Sequence, residues 1–174
     1  VVVTAGQDTT VNASLNPVSN KLANPGFDTS LTSWYSQSVS GGKLATVSYD
    51  DVNHPTWGFY DSVEGQGYLV IGASPSPSET IVYQDVTVSP NTTYSLSWWE
   101  KTVGDKFDGW PSVSADQSLT VSIHQQQGAT WGGPIINLCQ VREATDGWEY
   151  VDSIFRTGPA TTKVRVRFDA KFAT

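Results

Sequence analysis

The chain has 174 residues, enough for one substantial domain with its own core. It carries 10 Lys and Arg against 17 Asp and Glu, a net charge of −7, which argues against a nucleic-acid partner or an anionic membrane surface. One cysteine, Cys139, rules out an internal disulfide and any multi-cysteine metal site. It reads as a small buried hydrophobe, with only His54 and His124 available as an activating base.

Charged residues are few, while Ser, Thr, Gly and aromatics are abundant, a composition that favours strands over long helices. Residues 1–20 open apolar with "VVVTAG" and then turn polar, so 1–19 reads as an extension or an added strand ahead of a domain at 20–174. Asn16-Pro17 breaks that run. "LANPGFDTSLTSW" (22–34) follows, and seven short strands are expected beyond it: "KLATVSY" (43–49), "GYLVIGA" (67–73), "TIVYQDVTV" (80–88), "TTYSLSWWEK" (92–101), "SLTVSIHQQ" (118–126), "WEYVDSIFRT" (148–157) and "KVRVRFDAKF" (163–172). Period-two alternation with Gly, Pro and Asn punctuation is the pattern of an all-β sandwich or barrel. No amphipathic helix and no internal repeat is visible. No stretch approaches the ~20 apolar residues of a membrane-spanning helix, so membrane insertion is not expected.

Three stretches read as loops: 50–66, 103–116 and 128–140. They carry Trp57, Tyr60, Trp110 and Trp131, and binding residues concentrate on loops held by a rigid scaffold. These aromatics read equally as ligand contacts and as packing beneath their own loops. Asn12 and Asn91 each begin an Asn-x-Ser/Thr triplet, which with the Val1 start suggests a secreted chain processed or cut from a longer one.

The ordered motifs resemble the galactose-binding-like jelly rolls, above all the carbohydrate-binding modules grouped with families four, nine, sixteen and twenty-two. The entry "LANPGFDTSLTSW" carries the likeness first. "YQDVTVSPNTTYSLSWWEK" (83–101), "GWEYVDSIF" (147–155) and "VRVRFDAKF" (164–172) continue it in order. The resemblance implies a jelly-roll β-sandwich of two antiparallel sheets, without catalysis, that binds a glycan. It also implies a structural Ca²⁺, with Asp28 and Asp169 at the matching acidic positions. Asp28 reads equally as a turn residue.

Sugar binding needs flat aromatic faces and a few polar groups for the hydroxyls. Phe27, Trp34 and Trp148 read as core. Trp98 shares parity with Tyr94 and Leu96 and should point inward, leaving Trp99 outward. If 118–126 lies nearby in the same sheet, Trp99, His124 and Gln126 share one face. No Ser-elbow, phosphate loop or His-Glu zinc motif suggests an enzyme. The leading expectation is an extracellular, secreted or virion-surface glycan-binding module with possible neighbouring domains. The alternative is an assembly domain of a virion, tail or filament that pairs with itself through residues 1–15.

Overall fold

The computed structural model describes residues 20–27, 30–40, 46–49, 63, 67–70, 78–100, 118–141 and 148–172. The described secondary structure is strand throughout: β1 (Tyr35–Ser40), β2 (Thr46–Tyr49), β3 (Gly67–Val70), β4 (Ser78–Thr87), β5 (Thr93–Glu100), β6 (Ser118–Gln127), β7 (Thr130–Val141), β8 (Glu149–Arg156) and β9 (Lys163–Phe172). One layer is a five-stranded sheet in the order β1-β4-β9-β6-β7. The facing layer contains the antiparallel pair β5–β8. The β2–β3 pair meets its end, where the rings of Tyr68 and Trp148 meet edge to face with centroids 5.7 Å apart. The chain passes back and forth between layers, which makes an antiparallel β-sandwich.

Alternation decides what each strand buries. Val82 and Val86 of β4, Val121 and Ile123 of β6, and Val164 and Val166 of β9 point inward from the five-stranded sheet. Leu96 and Phe155 meet them from β5 and β8. Trp98 packs edge-on against Phe168 at 6.3 Å, joining the two layers. The inward expectation for Trp98 therefore holds, and its Nε1–H donates to Glu100 Oε2 at 2.9 Å.

The entry segment closes this interior. Trp34 is buried in the core, with Phe27 packed on it at 5.0 Å and Phe168 at 5.9 Å. Its indole N–H donates to the Asn24 carbonyl at 3.0 Å. Gln84, also inward, accepts from Ala23 N at 2.8 Å and donates to the carbonyls of Ala23 and Ser33. A buried amide thus satisfies backbone groups that no sheet ladder reaches.

Two strands differ from the sequence reading. β1 pairs with β4 as an edge strand, although "YSQSVS" has few apolar residues. The stretch 128–140, expected as a loop, belongs mostly to β7, which forms a hairpin with β6. Gly132, Gly133 and Pro134 hid it, since each lowers strand propensity. They are tolerated because β7 is an edge strand whose register shifts beside His124 and Pro134. The hairpin turns on Gly128 and Ala129. Gly128 has φ +62°, the left-handed region that a Gly-x turn uses at its first central position.

Candidate functional site

The outward face of the five-stranded sheet carries a band of rings and charges. Tyr35 of β1 and Tyr83 of β4 are register partners, with rings stacked 5.2 Å apart at 18°. The Arg165 guanidinium of β9 lies 3.9 Å from the Tyr83 ring centroid and 4.3 Å from that of Trp131. Tyr35, Tyr83, Arg165 and Trp131 therefore run obliquely across the sheet. With strands about 4.8 Å apart, β1 to β7 spans about 19 Å.

Arg165 holds the band in place. Its Nε–H donates to Asp85 Oδ1 at 2.7 Å and its Nη2–H to Oδ2 at 3.0 Å, a bidentate fork that fixes the guanidinium plane. The hydrogen bond from Asp85 pushes the pKa of Arg165 above its ordinary value, outweighing burial, so the cation persists at any working pH. A fixed cation near the faces of Tyr83 and Trp131 steadies both rings. Beside it, Arg167 donates to Asp169 Oδ2 at 2.6 Å. Glu79 lies 3.9 Å from both Arg167 and Lys171.

His124 and Gln126 lie on this same face, toward β7. His124 Nδ1 is 3.1 Å from the Gly132 carbonyl, which can only accept, so Nδ1 bears a proton. In the neutral ring Nε2 then accepts from Ser122 Oγ at 3.1 Å. The imidazole ties β6 to the irregular start of β7. Gln126 stands opposite Trp131 in the register.

Trp99 lies elsewhere. β5 belongs to the other layer, so Trp99 does not share a face with His124 and Gln126. It does point outward as parity demands, 42% exposed, beside Tyr150 at 5.1 Å. The expectation failed at strand pairing: β6 joins β9 and β7, whereas β5 joins β8. Alternation shows which way a side chain points, and it is blind to the sheet that holds the strand. Trp131, expected in a loop, is half-buried on a strand against Arg165. Tyr35, Tyr83, Asp85 and Arg165 were missed as site residues. The outward parity of Asp85 and Arg165 on two alternating strands was the available signal. Trp57, Tyr60 and Trp110 lie outside the described residues.

For the expected calcium, Asp28 also lies outside the described residues. Asp169 faces outward on β9, while Phe27 and Trp34 of the entry segment pack on the inward side. One carboxylate oxygen of Asp169 is buried without a hydrogen-bond partner, and the other is taken by Arg167. A guanidinium at 2.6 Å repels a divalent cation, and Ca²⁺ needs six or more oxygens. Among the described residues no group of three or more acidic, His or Cys side chains could hold a metal.

Comparison with known proteins gives this geometry a class. A family model described as a carbohydrate binding domain matches residues 19–173, and the chain belongs to that family. The fold also recurs in solved structures. A CBM61 module in complex with β-1,4-galactotriose, TmCBM61, has TM-score 0.53 at 15% identity, covering 88% of each chain. A family 16 carbohydrate binding module has TM-score 0.50 at 16% identity, covering 87% of this chain and 94% of that one. The enzymatically active domain of bacteriophage CBA120 tailspike protein 4 has TM-score 0.60 at 12% identity. That match covers 87% of this chain and only 19% of the tailspike chain. At these identities the likenesses carry the fold alone. A sequence search among curated proteins found no match.

Proposed function

We propose that this domain binds a neutral glycan, without catalysis, across the outward face of its five-stranded sheet. The observation that carries the reading is the row Tyr35–Tyr83–Arg165–Trp131, held by the Asp85 fork. Aromatic faces stack on the C–H faces of pyranose rings. Tyr35, 61% exposed, and Trp131 stand at the two ends of the row for that role, while Tyr83, with Tyr35 stacked on it and Arg165 over its ring, holds them in line. A row spanning about 19 Å suits a chain of sugars rather than a single one. Gln126, part-exposed, and Asn137, exposed, provide amide groups beside it. Arg165, Arg167 and Lys171 already face Asp85, Asp169 and Glu79, so the face needs no anionic ligand to balance it.

The work of such a domain is to hold a polysaccharide close to whatever else the parent protein carries. An extracellular or virion-surface setting agrees with the family and with the tailspike likeness in fold. Titration against oligosaccharides of galactan, xylan, cellulose and mannan tests the reading, with β-1,4-galactotriose first because the CBM61 module holds it. Saturable binding that Trp131→Ala weakens at least tenfold is expected. Absence of binding to every member, or binding indifferent to Trp131 and Tyr83, sinks the proposal. Release of reducing ends during incubation would overturn the non-catalytic part.

A further inference from the structure

Five large hydrophobic side chains are exposed among the described residues, and three of them, Trp99, Tyr150 and Ile154, share the outer face of β5–β8. That face alternates without a break: Thr93, Ser95, Ser97 and Trp99 of β5 are exposed, as are Tyr150, Asp152, Ile154 and Arg156 of β8. The register sets them as four cross-strand pairs, Trp99 with Tyr150, Ser97 with Asp152, Ser95 with Ile154, and Thr93 with Arg156. The Trp99 and Tyr150 rings lie 5.1 Å apart, tilted by 59°. Two rings at that angle form an open corner in which one sugar can meet both.

We propose that this corner is a second saccharide site, on the opposite side of the sandwich from the five-stranded face. The inference rests on the glycan-binding reading of that first face and adds an independent surface to it. The aromatic pair supplies the stacking. Asp152 and Ser97, one pair along the strands at about 6.8 Å, supply a carboxylate acceptor and a hydroxyl for the sugar hydroxyls. Ile154 and Ser95 extend the strip by one further pair. The composition selects a sugar over a protein partner. Protein interfaces favour aromatics but are depleted in Asp and Ser at their core, where a buried carboxylate goes unpaired. Here Ser and Asp stand between the apolar groups.

Two sites on opposite faces make the domain bivalent. It can bridge two polysaccharide chains, or gain avidity on one surface through effective concentration. The Trp99 and Tyr150 side chains are 42% and 55% exposed and lie outside the core cluster, so the variant lacking both is expected to stay folded, which thermal unfolding checks.

The test is calorimetric titration with trisaccharides of the same four glycans, on wild type, Trp99→Ala/Tyr150→Ala, Asp152→Asn and Tyr83→Ala/Trp131→Ala, with thermal unfolding of each as the folding control. Wild type should bind two trisaccharides per chain and Trp99→Ala/Tyr150→Ala one. Asp152→Asn should weaken one binding step at least fivefold. Tyr83→Ala/Trp131→Ala should retain the step that Trp99→Ala/Tyr150→Ala loses. Wild type should also agglutinate the soluble polysaccharide, and each double variant should not. One site per chain, lost in Tyr83→Ala/Trp131→Ala and intact in Trp99→Ala/Tyr150→Ala, overturns the second site and leaves the first standing. A Trp99→Ala/Tyr150→Ala variant that changes sedimentation but not titration also overturns it, making this face a contact between copies. No binding of any glycan to wild type overturns both sites.

Discussion

The two outward faces of this sandwich solve the display of aromatic rings in opposite ways. On the five-stranded sheet, Tyr83 and Trp131 are half-buried and locked by a cation that is itself locked by Asp85. On β5–β8, Trp99 and Tyr150 stand on a ladder of serines and charged residues with much of each ring in water. The first arrangement lowers the ordering cost of binding, because the rings are already placed. The second leaves that cost to be met when the ligand arrives. The difference teaches that two sets of outward rings on one fold can differ in how far they are held in place before any ligand arrives.

Breaking the interior that both faces share should have the largest effect. Trp34→Ala removes a buried indole packed on Phe27 and Phe168, and should destabilise the fold by about 3–5 kcal/mol. Chemical denaturation should show this loss, with near-UV signals from both faces melting together. Separate transitions would mean that the faces belong to independent units. Next comes the Asp85–Arg165 fork. A double-mutant cycle with Asp85→Ala and Arg165→Ala should give a coupling of about 1.5–3 kcal/mol, as for hydrogen bonds to charged groups that are largely shielded from water. Glycan affinity of either single variant should fall with the loss of ring placement. A coupling near zero would make the fork an ordinary surface pair and erase the contrast between the faces.

Much of this fold is legible in the sequence because alternation is a local signal. The inward set on β4, β6 and β9 follows from the period-two pattern, and Phe27 and Trp34 are readable as the hydrophobic anchors of the entry motif. β7 is not legible, since Gly132-Gly133-Pro134 spells a turn to any propensity argument, and only the edge position and shifted register make it a strand. The site is harder still. That Trp99 faces outward can be read from parity, but whether it stands beside His124 depends on strand order, which is a property of the whole chain. Arg165 shows the same limit. Its outward position is plain in "KVRVRF", whereas its place near Tyr83 and Trp131 comes from β4 and β7, more than twenty residues away in sequence.

A smaller effect is expected at the hairpin that delivers Trp131. Gly128→Ala places a Cβ on a residue at φ +62°, where the neighbourhood is open, so the cost is backbone strain without a clash. That strain is about 1–2 kcal/mol, read as a lowered thermal midpoint. Binding should weaken with it if the turn helps to aim Trp131 at Arg165.

The smallest change in stability belongs to the open face. Trp99→Ala should shift unfolding by about 0.5–1 kcal/mol, the scale of one cross-strand aromatic pair on an open face. Arg165→Ala should cost several times that while deleting no more exposed surface. The two variants together make the comparison quantitative, because additivity is expected for sites on opposite sides of a core. If Trp99→Ala proves as destabilising as Arg165→Ala, the Trp99–Tyr150 pair is part of the packing of its sheet, and the distinction between a locked face and an open one fails.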